Sequence, residues 1–173
     1  MFLFNDDPSD IPSEPPSQEE VNNLFFQYLK NNRPSWEYYL ILLAKVVASR
    51  SKDPNTQCGA VITDQNHRII STGYNGSLQN VDDSLVPTSR PEKYPYFIHA
   101  EENAILFAKK DLQNCLIFVT GMPCHKCMRM IAQSGISAVF HGTQTINMID
   151  DKELKLTQNI AKLKNLPIIQ INC

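Results

Sequence analysis

What the chain lacks narrows its function first. No stretch of its 173 residues approaches the roughly 18–20 consecutive apolar residues of a membrane helix; the best, Leu40 to Ala48, is short and carries Lys45. A secretory-type start is also missing. Met1–Phe4 runs straight into Asn5, Asp6, Asp7 and Pro8 without a basic opening or an apolar core, so a soluble cytoplasmic protein is expected. Neither sign of charge is in excess: 16 Lys and Arg against 18 Asp and Glu leave a formal charge of -2, which excludes a generally basic nucleic-acid coat. One Trp, six Tyr and no basic stripe interleaved with aromatics argue against binding single-stranded polymers. Internal repeats are absent. What is present, 42% hydrophobic and 20% charged, suffices for one domain with a sizeable core but not for two full ones.

Organisation follows from punctuation and periodicity. Residues 8–17 hold four of the eleven prolines among Ser, Glu and Asp and read as an extended, weakly ordered leader. Val21, Leu24, Phe25, Tyr28 and Leu29 repeat at helical spacing between Gln18 and Lys30, predicting a short amphipathic helix that docks on the main domain or on a partner. Asn31-Asn32-Arg33-Pro34 stops it, so residues 1–33 are an extension and 34–173 the domain proper.

Ser35 is a candidate N-cap for a helix from Trp36 to about Ser49. Cys58–Thr63 and His67–Tyr74 predict a hairpin around Asp64-Gln65-Asn66. The irregular passage from Asn75 to Pro95 is of the length that is usually functional or mobile. Helices are predicted over Ala100–Lys110, Cys124–Gln133 and Asp151–Lys164, with strands at Cys115–Thr120, Ser137–Phe140 and Ile168–Ile171. A hairpin followed by helix–strand alternation predicts a three-layer α/β/α domain on a mixed sheet.

Two short motifs carry the chemistry: His99-Ala100-Glu101 and Pro123-Cys124-His125-Lys126-Cys127, each opening a predicted helix. One imidazole and two thiolates are good zinc ligands, and cysteines three apart at a helix N-terminus share a face that favours thiolates. His99 and Glu101 would diverge by about 200° inside a regular helix. In a first turn, however, both can reach one ion beyond the helix end. Three protein ligands leave a fourth position for water, the pattern of a catalytic zinc, and Glu101 is then a natural proton shuttle. A lone C-x-x-C also suits half of a structural zinc site or a redox pair. A structural site needs a fourth ligand, for which His125, His141, Cys115 and Cys173 are the candidates, none at a recurring ligand spacing. A redox pair leaves His99 and Glu101 idle. In an intracellular chain an odd count of five cysteines speaks against a disulfide framework.

Together the motifs resemble the H-x-E…P-C-x-x-C signature of zinc nucleobase deaminases. The likeness extends through Ser51-Lys52-Asp53-Pro54-Asn55-Thr56-Gln57-Cys58-Gly59-Ala60-Val61-Ile62, Gly73-Tyr74-Asn75-Gly76 and Lys93-Tyr94-Pro95-Tyr96-Phe97-Ile98-His99. These blocks are similar to the deoxycytidylate (dCMP) deaminases of the zinc-dependent cytidine/deoxycytidylate deaminase family. The resemblance implies a cytidine-deaminase-like fold with a five-stranded mixed sheet, and hydrolysis of dCMP to dUMP and ammonia, supplying dUMP for thymidylate synthesis. Turnover of dCTP, alone or with dCMP, is the alternative, and a non-catalytic zinc-stabilised subunit a more distant one.

The resemblance further implies a homo-oligomer, often a hexamer, with dCTP and dTTP as effectors. His99, Cys124 and Cys127 correspond to its zinc ligands, Glu101 to its proton shuttle and Asn75 to its sugar contact. Ser51 and Lys52 lie in its 5′-phosphate segment, although Arg50 and Lys52 also suit a helix end as cations complementing the dipole. Tyr96 either lines the pocket or anchors a loop. The chain departs from the family at Ser77-Leu78-Gln79-Asn80, where a short M-P-x-G stretch is common near the region associated with effectors. It departs again at Cys58, where valine is usual and which reads as packing. At His125-Lys126 a more acidic or amide pair is replaced, and His125 reads as a solvated helix residue.

Overall fold

The computed structural model describes residues 17–144 and 150–173, so the proline-rich leader lies outside the described residues except for Ser17. The chain divides into two units between Pro34 and Ser35. In the first, helix α1 (Gln18–Asn31) begins with a capping box: Ser17 accepts from the Glu20 N–H while the Glu20 carboxylate accepts from the Ser17 N–H at 2.8 Å.

The second unit opens with α2 (Trp36–Ala48), capped by the Ser35 hydroxyl, which accepts from the Tyr38 N–H at 3.2 Å. The hairpin follows as β1 (Gly59–Thr63) and β2 (Ile69–Tyr74). The long irregular passage has its ends closed together. β3 (Gly76–Ser77) and β4 (Phe97–Ile98) form a two-residue antiparallel ladder that delivers the chain directly to α3 (Ala100–Phe107). The remaining elements alternate: β5 (Leu116–Gly121), α4 (His125–Gln133), β6 (Ala138–Gln144), α5 (Asp151–Lys164) and β7 (Ile168–Gln170).

The five long strands form one mixed sheet in the order β2-β1-β5-β6-β7. β1 is antiparallel to both neighbours, whereas β5, β6 and β7 run parallel. Alternation along the central strands separates two cores. Val61 and Phe118 point to one face, against Leu40, Ile41 and Ala44 of α2. Ala60, Ile62, Ile117 and Val119 point to the other, against Ala100 and Ala104 of α3, Met128 and Ile131 of α4 and Ala161 of α5. The three-layer α/β/α architecture and five-stranded mixed sheet expected from the sequence are present. No helix among the described residues is long and apolar enough to cross a membrane.

Most element ends fall within one or two residues of expectation, and two differ by more. β6 continues beyond Phe140 to Gln144 because pairing with β5 and β7 carries the polar His141–Gln144 stretch. α3 stops at Phe107 rather than Lys110, and Lys109 takes a left-handed φ of 46° that no continuing helix allows.

The seat of α3 on the sheet depends on one residue without a side chain. A Cβ at Gly73 in β2 would lie 2.2 Å from the Ala100 carbonyl oxygen and 2.4 Å from the Ala104 nitrogen, both backbone atoms that cannot turn aside. Gly73→Ala is therefore expected to lower stability by about 3 kcal/mol in urea unfolding, the upper end of ordinary overpacking, by lifting α3 from the sheet. An unchanged midpoint would show that α3 does not sit this close.

Candidate metal and catalytic site

The site is built where two helices begin. His99 is the N-cap of α3, with φ -74° and ψ 158°, and Cys124 the N-cap of α4, with φ -70° and ψ 165°. Both are extended rather than helical, which removes the 200° divergence that a regular helix would impose between His99 and Glu101. α3 and α4 lie on the same face of the sheet and contact each other, so their first turns meet. His99 Nδ1 comes 3.7 Å from Cys124 Sγ and 3.3 Å from Cys127 Sγ.

His99, Cys124 and Cys127 place one donor atom each within 4.8 Å of one another, and they are the group of this kind found among the described residues. Zinc bonds of about 2.3 Å to sulfur and 2.0–2.1 Å to nitrogen make the edges of a tetrahedral ligand set about 3.6 Å long, so the donors fit that ion in type and spacing. None of the four candidates for a closing ligand joins them. His141 is buried in β6 with Nδ1 2.9 Å from the Gly142 carbonyl, while His125 is drawn to Glu153 of α5, which accepts from the His125 N–H at 2.8 Å and also meets its ring. Cys115 and Cys173 lie elsewhere as free thiols.

Glu101 follows within the first turn of α3 and is buried, with 4% exposure. Burial pushes its carboxyl above the usual range, against the pull of His99. Without an ion, the Cys127 hydrogen bond and the neighbouring imidazole draw the Cys124 thiol down to about 3. Cys127 is pushed up by its bond to the Cys124 thiolate and by burial, and the Cys124 sulfur raises His99 to about 9.

His99, Glu101 and Cys124 line a cavity of about 360 Å³. Asn75 lines it, as expected, but every polar atom of its amide is engaged: Oδ1 accepts from the Cys58 N–H at 2.7 Å, and Nδ2 donates to the Thr56 carbonyl at 2.8 Å and Asp53 Oδ2 at 3.3 Å. Ser51, Lys52 and Tyr96 do not line the cavity. Ser51 is buried, donating to the Asn75 carbonyl at 2.7 Å; Lys52 is exposed and paired with Asp83; Tyr96 closes a short 3₁₀ turn with its side chain partly exposed. The cations on the cavity wall are Arg90, Lys93 and Lys126. Sequence reasoning gave none of these three a role, although Lys93 opens the Lys93–Tyr96 block and Lys126 sits between the cysteines. Cys58 also lines the cavity, with burial pushing its thiol up to about 12, so it remains neutral as packing requires.

Comparison with known proteins agrees with this geometry. A family model described as the cytidine and deoxycytidylate deaminase zinc-binding region matches residues 34–143. A deaminase of Aliivibrio fischeri named from the luxG 3′ region is 51% identical over 110 residues, 64% of this chain and 74% of its own. A probable deoxycytidylate deaminase of Caenorhabditis elegans is 45% identical over 134 residues, 75% of this chain and 66% of its own. The human deoxycytidylate deaminase is 39% identical over 111 residues, and the match spans 62% of its length. Among solved structures, the dCMP deaminase of cyanophage S-TIM5, crystallised with dCMP and dUMP, superposes with a TM-score of 0.63 over 80% of this chain and 98% of its own, at 18% identity, a likeness of fold.

Loading this site has a proton cost that can be measured. A zinc ligand must be a neutral imidazole or a thiolate, whereas near pH 7 His99, raised to about 9, is protonated and Cys127 holds its proton. Zinc is expected to release about two protons per ion, so its affinity falls about a hundredfold for each pH unit lost below neutrality. Calorimetry in buffers of different ionisation enthalpy counts them; zero release would mean that the three donors are not the ligands.

Proposed function

The chain belongs to the cytidine and deoxycytidylate deaminase zinc-binding family, and from that premise we propose that it hydrolyses dCMP to dUMP and ammonia with zinc held by His99, Cys124 and Cys127. The observation that carries the reading is a buried carboxyl, Glu101, beside a three-donor group to which no described residue adds a fourth ligand. A structural zinc would use a closed set and has no need of Glu101. When bound, zinc supplies Lewis acidity that makes water nucleophilic at neutral pH.

The chain's own residues do the rest. Glu101 takes a proton from the water that attacks C4 of cytosine and delivers it to N3. The same carboxyl then takes the remaining proton of the C4 hydroxyl and passes it to the amine, which leaves as the C4–N bond breaks and the C4 carbonyl forms, so one water and one nucleotide become dUMP and ammonia. Burial assists both steps by raising the carboxyl above the usual carboxylate range, which makes Glu101 a stronger base toward water.

Charge favours the monophosphate. Asp53 offsets Lys93, leaving Arg90 and Lys126 as the cations of the cavity wall for an anionic phosphate, with the Glu153 carboxylate of the same wall engaged by His125. The family resemblance also supports a cytoplasmic homo-oligomer with dCTP and dTTP as candidate effectors.

Incubation with dCMP, dCTP, deoxycytidine and a cytosine-containing single strand, read by ammonia release, is expected to rank dCMP first. Exclusive turnover of dCTP would overturn the monophosphate assignment. Glu101→Gln is expected to keep about one zinc per chain while losing at least about a thousandfold in kcat. Normal turnover by this variant would remove Glu101 from the mechanism.

A further inference from the structure

Beyond Asn75 itself, the passage to Pro95 is tied to the segment after α2 by three further side-chain contacts. Lys52 pairs with Asp83, Arg90 Nη2 donates to Thr56 Oγ1 at 2.9 Å, and Lys93 meets Asp53. The first two contacts lie among exposed residues, where such contacts contribute little. The third differs in kind. Its side chains are only 3% and 5% exposed, and Lys93 Nζ donates to both carboxylate oxygens at 2.7 and 2.6 Å. A buried pair of this kind is weak evidence for stability, because desolvation of two charges offsets their attraction. Apolar side chains of similar shape would hold the two segments together as well.

The other bonds of Asp53 point to what the pair does. Oδ1 accepts from the N–H groups of Asn55 at 2.8 Å and Thr56 at 3.2 Å, while Oδ2 accepts from Asn75 Nδ2. An amide whose nitrogen faces a carboxylate and a carbonyl, and whose oxygen faces an N–H, has one admissible orientation. On the other side of the pair, the Lys93 ammonium lies 5.2 Å from the centre of the Phe97 ring, another part of the cavity wall. The Cys58 N–H and the Thr56 carbonyl set the direction of Asn75, the carboxylate takes up its other amide proton, and the partner cation steadies the segment that ends in Phe97.

We propose that Asp53 and Lys93 are positioning residues for nucleotide binding: a buried ion pair that, together with the backbone of Cys58 and Thr56, immobilises the Asn75 amide by taking up its second amide proton, and that holds Phe97 in a fixed cavity wall. The proposal rests on reading the cavity as a nucleotide site and adds two residues that contact neither the metal group nor the reacting atoms. A wall of this sort binds ground state and transition state alike, so its loss raises KM and spares kcat.

A single Lys93→Met change strands a buried carboxylate and endangers the fold, so the decisive variant removes both charges, Asp53→Asn with Lys93→Met. This double variant is expected to fold and to keep about one zinc per chain, with a melting temperature near that of the wild type. Its KM for dCMP is expected to rise at least about tenfold and its kcat to stay within about threefold. A folded, zinc-loaded double variant with the wild-type KM overturns the proposal, because the pair would then be structural only.

A second measurement needs no turnover. In nitrogen-15 NMR, the Asn75 side-chain amide protons are expected to exchange with solvent at least about tenfold faster in the double variant than in the wild type. Equal exchange in the two proteins overturns the proposal even if dCMP is deaminated. Faster exchange in the variant supports it whichever substrate ranks first, so the positioning role and the functional reading fail separately.

Discussion

Everything at the site depends on two helix starts being brought to one point on the same face of one sheet. A metal-binding imidazole and two thiols are of no use unless their donor atoms converge, and they converge here because α3 and α4 begin side by side. The approach of α3 is as close as backbone atoms permit, since only a glycine at position 73 leaves room for Ala100 and Ala104. Alanines rather than larger residues then face the sheet from α3, as a helix pressed so near its strands requires. The close packing that seats this helix and the chemistry at its first turn are one constraint seen from two ends.

Around that point, charge is arranged in compensated layers. Glu101 sits in a buried environment that disfavours its anion, which suits a group that must hold and release a proton. Further out, Asp53 and Lys93 cancel one another, and the Glu153 carboxylate accepts from the His125 N–H. The uncompensated cations on the wall are those a phosphate would need, rather than an indiscriminate basic surface. This agrees with a chain whose formal charge is only -2. Electrostatic selection here is local, because the global field would repel an anion slightly.

The parts of this arrangement that were legible in the sequence are those set by neighbours in the chain. His99 with Glu101, and Cys124 with Cys127, sit at helix starts, where a few residues fix both the cap and the direction of the side chains. α5 was readable to the residue because its apolar period is interrupted at neither end: an aspartate caps it and Asn165 ends it with a left-handed φ of 54°. The 5′-phosphate segment was not readable in the same way. Ser51 and Lys52 are adjacent to the residues that matter, yet one is turned inward to bond a carbonyl and the other outward to Asp83. What decides the wall is Asn75–Pro95 folding back over them, and a ladder of only two residues on each side closes that fold. No local period announces such a ladder, nor a contact between residues 40 positions apart such as Asp53 and Lys93.

That separation also explains why a buried charge pair stands where a hydrophobic contact would be the simpler choice. Apolar side chains could close the loop onto its base, but they would leave one amide proton of Asn75 without an acceptor. The carboxylate accepts it, reinforcing the one orientation that the Cys58 N–H and the Thr56 carbonyl select. The lysine is then needed because the carboxylate, once buried, must have a counter-charge. Desolvation of that pair is the cost of direction in a site where donors and acceptors must meet a substrate in a fixed sense, and the specificity of a hydrogen-bonding wall resides in that direction more than in its area.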